Sequence, residues 1–229
     1  MQQQVININQ QMAYLMSTGK WRNCQRKQYN IYATLAPEGY VFANRLEQPK
    51  EFKYILKRFG RAIVRKEELA AEDIKILNTN CYVTDGQKLV LCGTRGELWT
   101  VKPDKFVASY VKTDGTRPDK VPTEWTEFSR QQESAPSAKG IQIPINYLGI
   151  FDAGWGVLRM NDPESSGHYK GDILVVSNDG QSISTVNNEV FALTFNQNIG
   201  GWAQSGSIME PAKIKSITLD FVKRNYNFR

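Results

Sequence analysis

Two segments of this chain repeat one another. Residues 88–110 read KLVLCGTRGELWTVKPDKFVASY, and residues 172–195 read DILVVSNDGQSISTVNNEVFALTF. Leu89 and Leu91 correspond to Ile173 and Val175, Gly96 to Gly180, Val101 to Val186, Phe106 to Phe191 and Tyr110 to Phe195, with one residue inserted after the shared glycine. Such self-similarity limits the architecture before any single element is assigned. Each copy reads as a strand, a glycine turn with positive φ, a second strand and a short helical turn. Phe106 with Tyr110, and Phe191 with Phe195, then fall at i and i+4 on one helical face. A two-stranded ribbon alone is marginal in water, so each ring pair is expected to cover one face of its hairpin.

The same residues carry a resemblance. GELWTVKPDKFVASY, and KGDILVVSNDG followed by VNNEVFALTF, resemble the small modules of many bacteriophage and prophage open reading frames. Those show a glycine-aspartate-aromatic strand, a basic or proline residue, Asp or Glu, Phe, and Thr or Ser-Tyr. The second copy has the Gly171–Asp172 pair, whereas the first has Gln87–Lys88 there. The resemblance spans about fifty residues in two patches and none of the basic N-terminal region. It implies a phage-type accessory protein and carries no catalytic residue over.

The rest of the chain reads as an α+β protein of mostly antiparallel β, with two repeated β-hairpin plus helical-turn modules and a basic α/β N-terminal part. MQQQVININQQMAYLM gives a short strand or arm and then a helical turn. Tyr29–Leu35 and Tyr40–Asn44, around a Pro37–Gly39 turn, read as a hairpin. Pro49 opens an amphipathic helix with Phe52, Ile55, Leu56 and Phe59 on one stripe and Gly60 after it, and Lys50, Lys53, Lys57 and Arg58 on the other face. Lys66–Ile76 fits a helix, or a single turn followed by a strand at Ile74–Leu77. Residues 113–140 hold prolines and small polar residues and read as a linker or long loop, with Trp125 and Phe128 as anchors. Lys213–Val222 alternates like a closing strand. The expected division is a basic lobe at 1–112 ending in the first module, the linker at 113–140, and a second β lobe at 141–229.

Charge narrows the function classes. The net charge is +6. Residues 20–66 carry twelve Lys or Arg against three acids, an excess of nine, so the remainder is at 6 minus 9, or −3. Lys20, Trp21, Arg22, Arg26 and Lys27 mix cations with an aromatic ring, and with Lys53, Lys57 and Arg61 they form the candidate surface for nucleic acid or for another partner. No apolar run approaches the ~20 residues of a bilayer span, and no secretory signature opens the chain, so no membrane partner and a cytoplasmic location, in a host cell if phage-encoded, are expected. Cys24, Cys81 and Cys92 form no CxxC pair and have only His168 to join them, so they read as reduced, partly buried thiols. A disulfide between Cys81 and Cys92, facing each other across a hairpin, is the minority alternative.

Catalytic signatures are sparse. No GxxxxGK[ST], HExxH, GxSxG or GxGxxG occurs. The loop Asp152–Asp172 holds Asp162, Glu164, Ser165, Ser166 and His168, but Asp162–Gly167 reads most simply as a turn. No cofactor and no metal are expected, and the balance leans away from an enzyme. The leading expectation is a non-catalytic accessory protein that binds a host macromolecule. The alternatives are a nucleic-acid-binding protein using the basic lobe, and a small-ligand (nucleotide) binder or unrecognised enzyme with a pocket at Trp99, Trp155, Trp202 and His168.

Overall fold

The computed structural model describes residues 4–18, 20–77, 81–133, 135–144, 146–152, 157–162, 171–180, 182–196, 200–201 and 214–228. In chain order the elements are β1 (Gln4–Asn7), α1 (Ile8–Ser17), β2 (Arg22–Cys24), β3 (Tyr29–Leu35), β4 (Tyr40–Phe42), α2 (Pro49–Phe59), β5 (Ile63–Arg65), α3 (Ala71–Leu77), β6 (Tyr82–Val83), β7 (Leu89–Cys92), β8 (Leu98–Val101), α4 (Pro103–Ser109) and β9 (Tyr110–Lys112). They continue as β10 (Thr126–Arg130), β11 (Ala138–Gln142), β12 (Tyr147–Asp152), β13 (Val157–Met160), β14 (Ile173–Ser177), β15 (Ile183–Val186), α5 (Asn188–Thr194), β16 (Gly200–Gly201) and α6 (Leu219–Asn225). This is an α+β fold in which most strand pairs are antiparallel. No helix among the described residues is long and apolar enough to cross a membrane.

The chain divides into two compact units, one of Met1–Gln28 with Gln132–Ile214, the other of Tyr29–Gln131 with Lys215–Arg229. The units interleave in sequence, so their boundaries differ from the expected lobes at 1–112 and 141–229. Thr126–Arg130, expected within a linker, is a strand paired on both sides, with β3 and with β9. Phe128 explains this: it is buried against Phe106, ring centroids 4.9 Å apart, which fixes TEFSR as an alternating strand despite its prolines upstream.

The second unit centres on a five-stranded sheet in the order β8-β7-β3-β10-β9. Its middle strand β3 is apolar on both faces, and both are covered. Ile31 and Ala33 join Leu89, Leu91, Phe106, Tyr110 and Phe128 on the α4 side. Tyr32 joins Val90, Cys92, Leu98, Trp125, Val222 and Tyr226 on the α6 side. β7 and β10 occupy the two edges of β3, which is why β3 does not form the expected hairpin with β4. β4 instead lies between β5 and β6 in a small separate sheet, and α2 packs Ile55 against Val41, Val64 and Leu77 there.

Residues Leu219–Asn225 form a helix, where a strand was expected. Thr218 caps it by accepting from the Phe221 amide at 3.3 Å, and Leu219, Val222 and Tyr226 share one face at helical spacing. The alternation of Ile217, Leu219 and Phe221 masked that period. At Lys66–Leu77 the chain makes a 3-10 turn over Lys66–Glu68 and then α3, so the helical alternative holds and the strand does not.

In the first unit β15-β14-β11 form an antiparallel sheet, with β2 and β16 sharing the other edge of β11. A three-stranded sheet β1-β12-β13 has β1 parallel to β12. α1 contributes Ile8 and Leu15 to a core with Ile141, Leu174, Phe151 and Met160, and thus links the two sheets. On the opposite face of β14, α5 brings Phe191 and Phe195 against Cys24, Ala138, Ile173 and Val175.

Residues 88–110 and 172–195 each fold as a hairpin followed by a short helix. Gly96 and Gly180 take φ of +80° and +70° in their turns, and their amides donate to Gly93 and Ser177 carbonyls at 3.1 and 2.9 Å. Each helix ends where the next residue turns extended, Tyr110 at φ −125° and Phe195 at φ −124°. Phe106 stacks on Tyr110 at 5.3 Å and Phe191 on Phe195 at 4.8 Å.

Candidate functional site

An exposed cationic face lies on α2, and its local sequence explains why. Pro49 starts the helix and Gly60 ends it at φ +70°, its amide donating to the Leu56 carbonyl at 2.9 Å. Ile55 is fully buried, and Phe52, Tyr54 and Phe59 pack around the same cluster. Lys53, Leu56 and Lys57 therefore share the outward face at i, i+3 and i+4, and Leu56 is 40% exposed there.

The neighbouring arginines are neutralised. Asp73 pairs with Arg58 at 3.4 Å and also accepts from the Tyr54 hydroxyl at 2.6 Å and the Ala70 amide at 2.9 Å. The Tyr54 hydrogen bond, helped by the Ala70 amide and Arg58, holds that carboxyl below the usual range. Arg61 pairs with Glu68, and Arg65 with Glu67 at 3.1 Å. Lys53 and Lys57 have no ion-pair partner among the described residues.

In the same unit a cavity of about 430 Å³ is lined by Glu38, Gly39, Tyr40, Arg65, Lys66 and Glu67. Arg65 lies over the Tyr40 ring at 5.5 Å. Lining of both charge signs distinguishes it from an anion site, and nothing in the sequence pattern pointed to it.

The tract 20–27 belongs to the other unit, so the seven expected cations and the Trp21 ring do not come from one compact unit. Trp21 turns inward, its indole N–H donating to the Leu15 carbonyl at 2.7 Å. Arg22 is exposed and donates to the Trp21 carbonyl at 3.1 Å. Arg26 lies 4.5 Å over the Phe195 ring and 3.8 Å from Glu133. Lys27 donates to the Ala192 carbonyl at 3.0 Å, and its burial lowers its pKa. Lys20 is exposed. The tract is thus largely engaged within its own unit.

Of the expected pocket, Trp155, His168 and Trp202 lie outside the described residues, as do Glu164, Ser165 and Ser166. Trp99 is half-buried against the α4-side core. All three cysteines are free, Cys24 and Cys92 being buried in separate clusters. Burial pushes the Cys24 and Cys81 thiols up to about 12 and Cys92 well above its ordinary value, which removes the thiolate that nucleophilic chemistry needs. Among the described residues no group of three or more His, Cys, Asp or Glu is placed to hold a metal ion.

Two buried carboxyls were not anticipated. Glu97 accepts from the Arg95 amide at 2.8 Å, and burial pushes it up to about 7 despite nearby Arg95 and Arg45. Asp172 accepts from the Asn161 amide at 2.8 Å and is pushed up to about 6 by burial. Asn161 sits at φ +57° and knots this region together. Its side chain accepts from the Gly171 and Asp172 amides at 2.7 and 2.8 Å and donates to the Ile143, Pro144 and Tyr147 carbonyls.

Tyr226 anchors the Glu97 loop by donating to the Gly96 carbonyl at 2.9 Å. A Cβ at Gly96 would lie 2.8 Å from that hydroxyl, on a backbone at φ +80°. Gly96→Ala is therefore expected to destabilise the protein by about 1–3 kcal/mol, read from urea unfolding; an unchanged midpoint would contradict the turn geometry.

Compared with protein families, with curated proteins and with solved structures, the chain matches none.

Proposed function

We propose that this chain is a non-catalytic accessory protein of bacteriophage or prophage type that binds a host macromolecule in the host cytoplasm. The observation that carries the reading is the outward face of α2, where Lys53 and Lys57 flank exposed Leu56 without ion-pair partners among the described residues. Like charges at i and i+4 cost a helix a few tenths of a kcal/mol. An acidic surface laid on this face removes that repulsion and covers Leu56, so the partner class favoured is an acidic protein. The module resemblance supplies the phage context.

The double charge reversal Lys53→Glu with Lys57→Glu tests this. Both residues are exposed, so melting is expected to stay within a few degrees, while affinity for a partner captured stoichiometrically by the unaltered chain falls at least tenfold. Equal capture by both forms overturns the reading. Retention on single-stranded DNA with a log–log salt slope of about −0.7 per phosphate contact moves the assignment to nucleic acid. A melting-temperature rise with a nucleotide moves it to a small-ligand binder instead.

A further inference from the structure

We infer that the two units are two copies of one module, strand A, strand B, strand C, strand D, helix, strand E, and that the A strands are reciprocally exchanged between the copies. In the second unit these parts are β10, β3, β7, β8, α4 and β9. In the first they are residues 22–26, β11, β14, β15, α5 and the extended residue Phe195.

The registers coincide. Leu35 pairs with Leu89 and Leu89 with Val101; likewise Gln142 pairs with Ile173 and Ile173 with Val186. From those anchors, Ile31 is equivalent to Ala138, and their A-strand partners are Phe128 and Cys24. One more pair along, Arg130 faces Tyr110 and Arg26 faces Phe195. Each arginine lies over that ring, at 5.4 and 4.5 Å. The buried side chains under the helix correspond as well: Phe128, Ile31, Leu89, Leu91, Phe106 and Tyr110 match Cys24, Ala138, Ile173, Val175, Phe191 and Phe195.

Chain order shows the exchange. In sequence, 22–26 directly precedes β3, and β10 directly precedes β11; in space, 22–26 pairs with β11 and β10 with β3. Each A strand thus sits beside the B strand of the other copy. Were 22–26 to fold back in the register that β10 now holds on β3, Arg26 would face Tyr29, Cys24 would face Ile31 and Arg22 would face Ala33. Only Lys27 and Gln28 would remain between the strands, the length of a tight hairpin turn. Turns of that length require positive φ, best supplied by Asn-Gly, and Lys-Gln supplies neither residue. The refused turn stays extended, Lys27 donating its amide to the Thr194 carbonyl at 2.9 Å. Exchanging an identical element is a low-cost rearrangement, because every strand keeps a partner of its own class. The chain therefore has a closed alternative, in which each A strand returns to its own copy, and Lys27–Gln28 is the hinge.

The test uses disulfides in the full-length chain carrying Cys24→Ala, Cys81→Ala and Cys92→Ala, because burial suppresses those three thiols only in the folded state and refolding exposes them. Asn23→Cys with Lys139→Cys joins direct partners of the exchanged form. Gln25→Cys with Asn30→Cys joins positions that face each other only in the closed form, since Asn30 now faces Ser129. With the native hinge the 23–139 bond is expected to dominate. Changing the hinge by Lys27→Asn and Gln28→Gly, then refolding from urea, is expected to raise the 25–30 bond at least tenfold in a product that still melts cooperatively. A 25–30 yield that stays at trace level overturns the inference. Should the hinge variant fail to fold, the native-hinge chain refolded slowly in a thiol–disulfide buffer decides. A cooperatively melting 25–30 product there supports the closed form, and its absence beside an intact 23–139 bond rules it out.

Discussion

Truncating Phe106 or Phe191 to alanine is expected to cost about 3–5 kcal/mol each, the range for large aromatic truncations in close-packed cores. Both rings are fully buried. Phe106 touches two other rings, Tyr110 by stacking and Phe128 edge-on at 4.9 Å. Among the described residues Phe191 stacks on Phe195, and its cluster otherwise holds smaller side chains such as Cys24 and Ala138. Phe106→Ala is therefore expected at the upper end of the range, because aromatic pairs add to area burial. Denaturant unfolding of the two variants measures this. A loss below about 1 kcal/mol at either site would mean that its ring does not close the hairpin against its sheet.

The second large effect concerns pH. For Glu97 and Asp172 the folded carboxyl titrates at about 7 and about 6, above ordinary values of 4.5 and 3.8. The folded state then holds protons that the unfolded chain has released. Their contribution is fully present below pH 3.8 to 4.5 and is lost as pH rises through 6 and 7. At 1.36 kcal/mol per pKa unit, each group costs about 3 kcal/mol by pH 8. Glu97→Gln and Asp172→Asn keep an acceptor for the Arg95 and Asn161 amides without the charge. Each variant is expected to gain stability over the unaltered chain at pH 8 and to lose that advantage near pH 4. Taking the difference between variant and parent cancels the opposite behaviour of paired carboxylates such as Asp73. A difference that does not change between pH 4 and pH 8 would mean that neither carboxyl is desolvated.

What the sequence made legible was local. α2 announced itself because Pro49, the stripe of Phe52, Ile55 and Phe59, and Gly60 all specify one element. The ribbons at 89–101 and 173–186 were legible because alternation brackets a glycine that must take positive φ. β10 was hidden because its one core residue, Phe128, sits in a proline-rich and polar context, and only its contact with Phe106 makes it a strand. α6 was hidden because its apolar residues fit periods of 2 and 3.6 equally until Tyr226 is placed. Strand exchange lies beyond any local pattern, since nothing in RNCQR states which sheet will receive it. On the candidate site, composition marked Lys53 and Lys57 but could not reveal that Trp21, Arg26 and Lys27 are engaged in their own unit. The buried states of Glu97 and Asp172 depend on tertiary enclosure that no spacing encodes.

The crossing of the chain between units at residues 28, 131 and 214 governs how the protein can be made. Translation delivers the first 28 residues long before β11 and α5 exist to receive them, so that segment waits through the synthesis of more than a hundred residues. The second unit waits too, because Val222 and Tyr226 complete its core from a stretch far beyond β10 in the sequence. Neither unit can close its core from one continuous stretch, so the usual order of maturation, first domain first, does not apply to this pair.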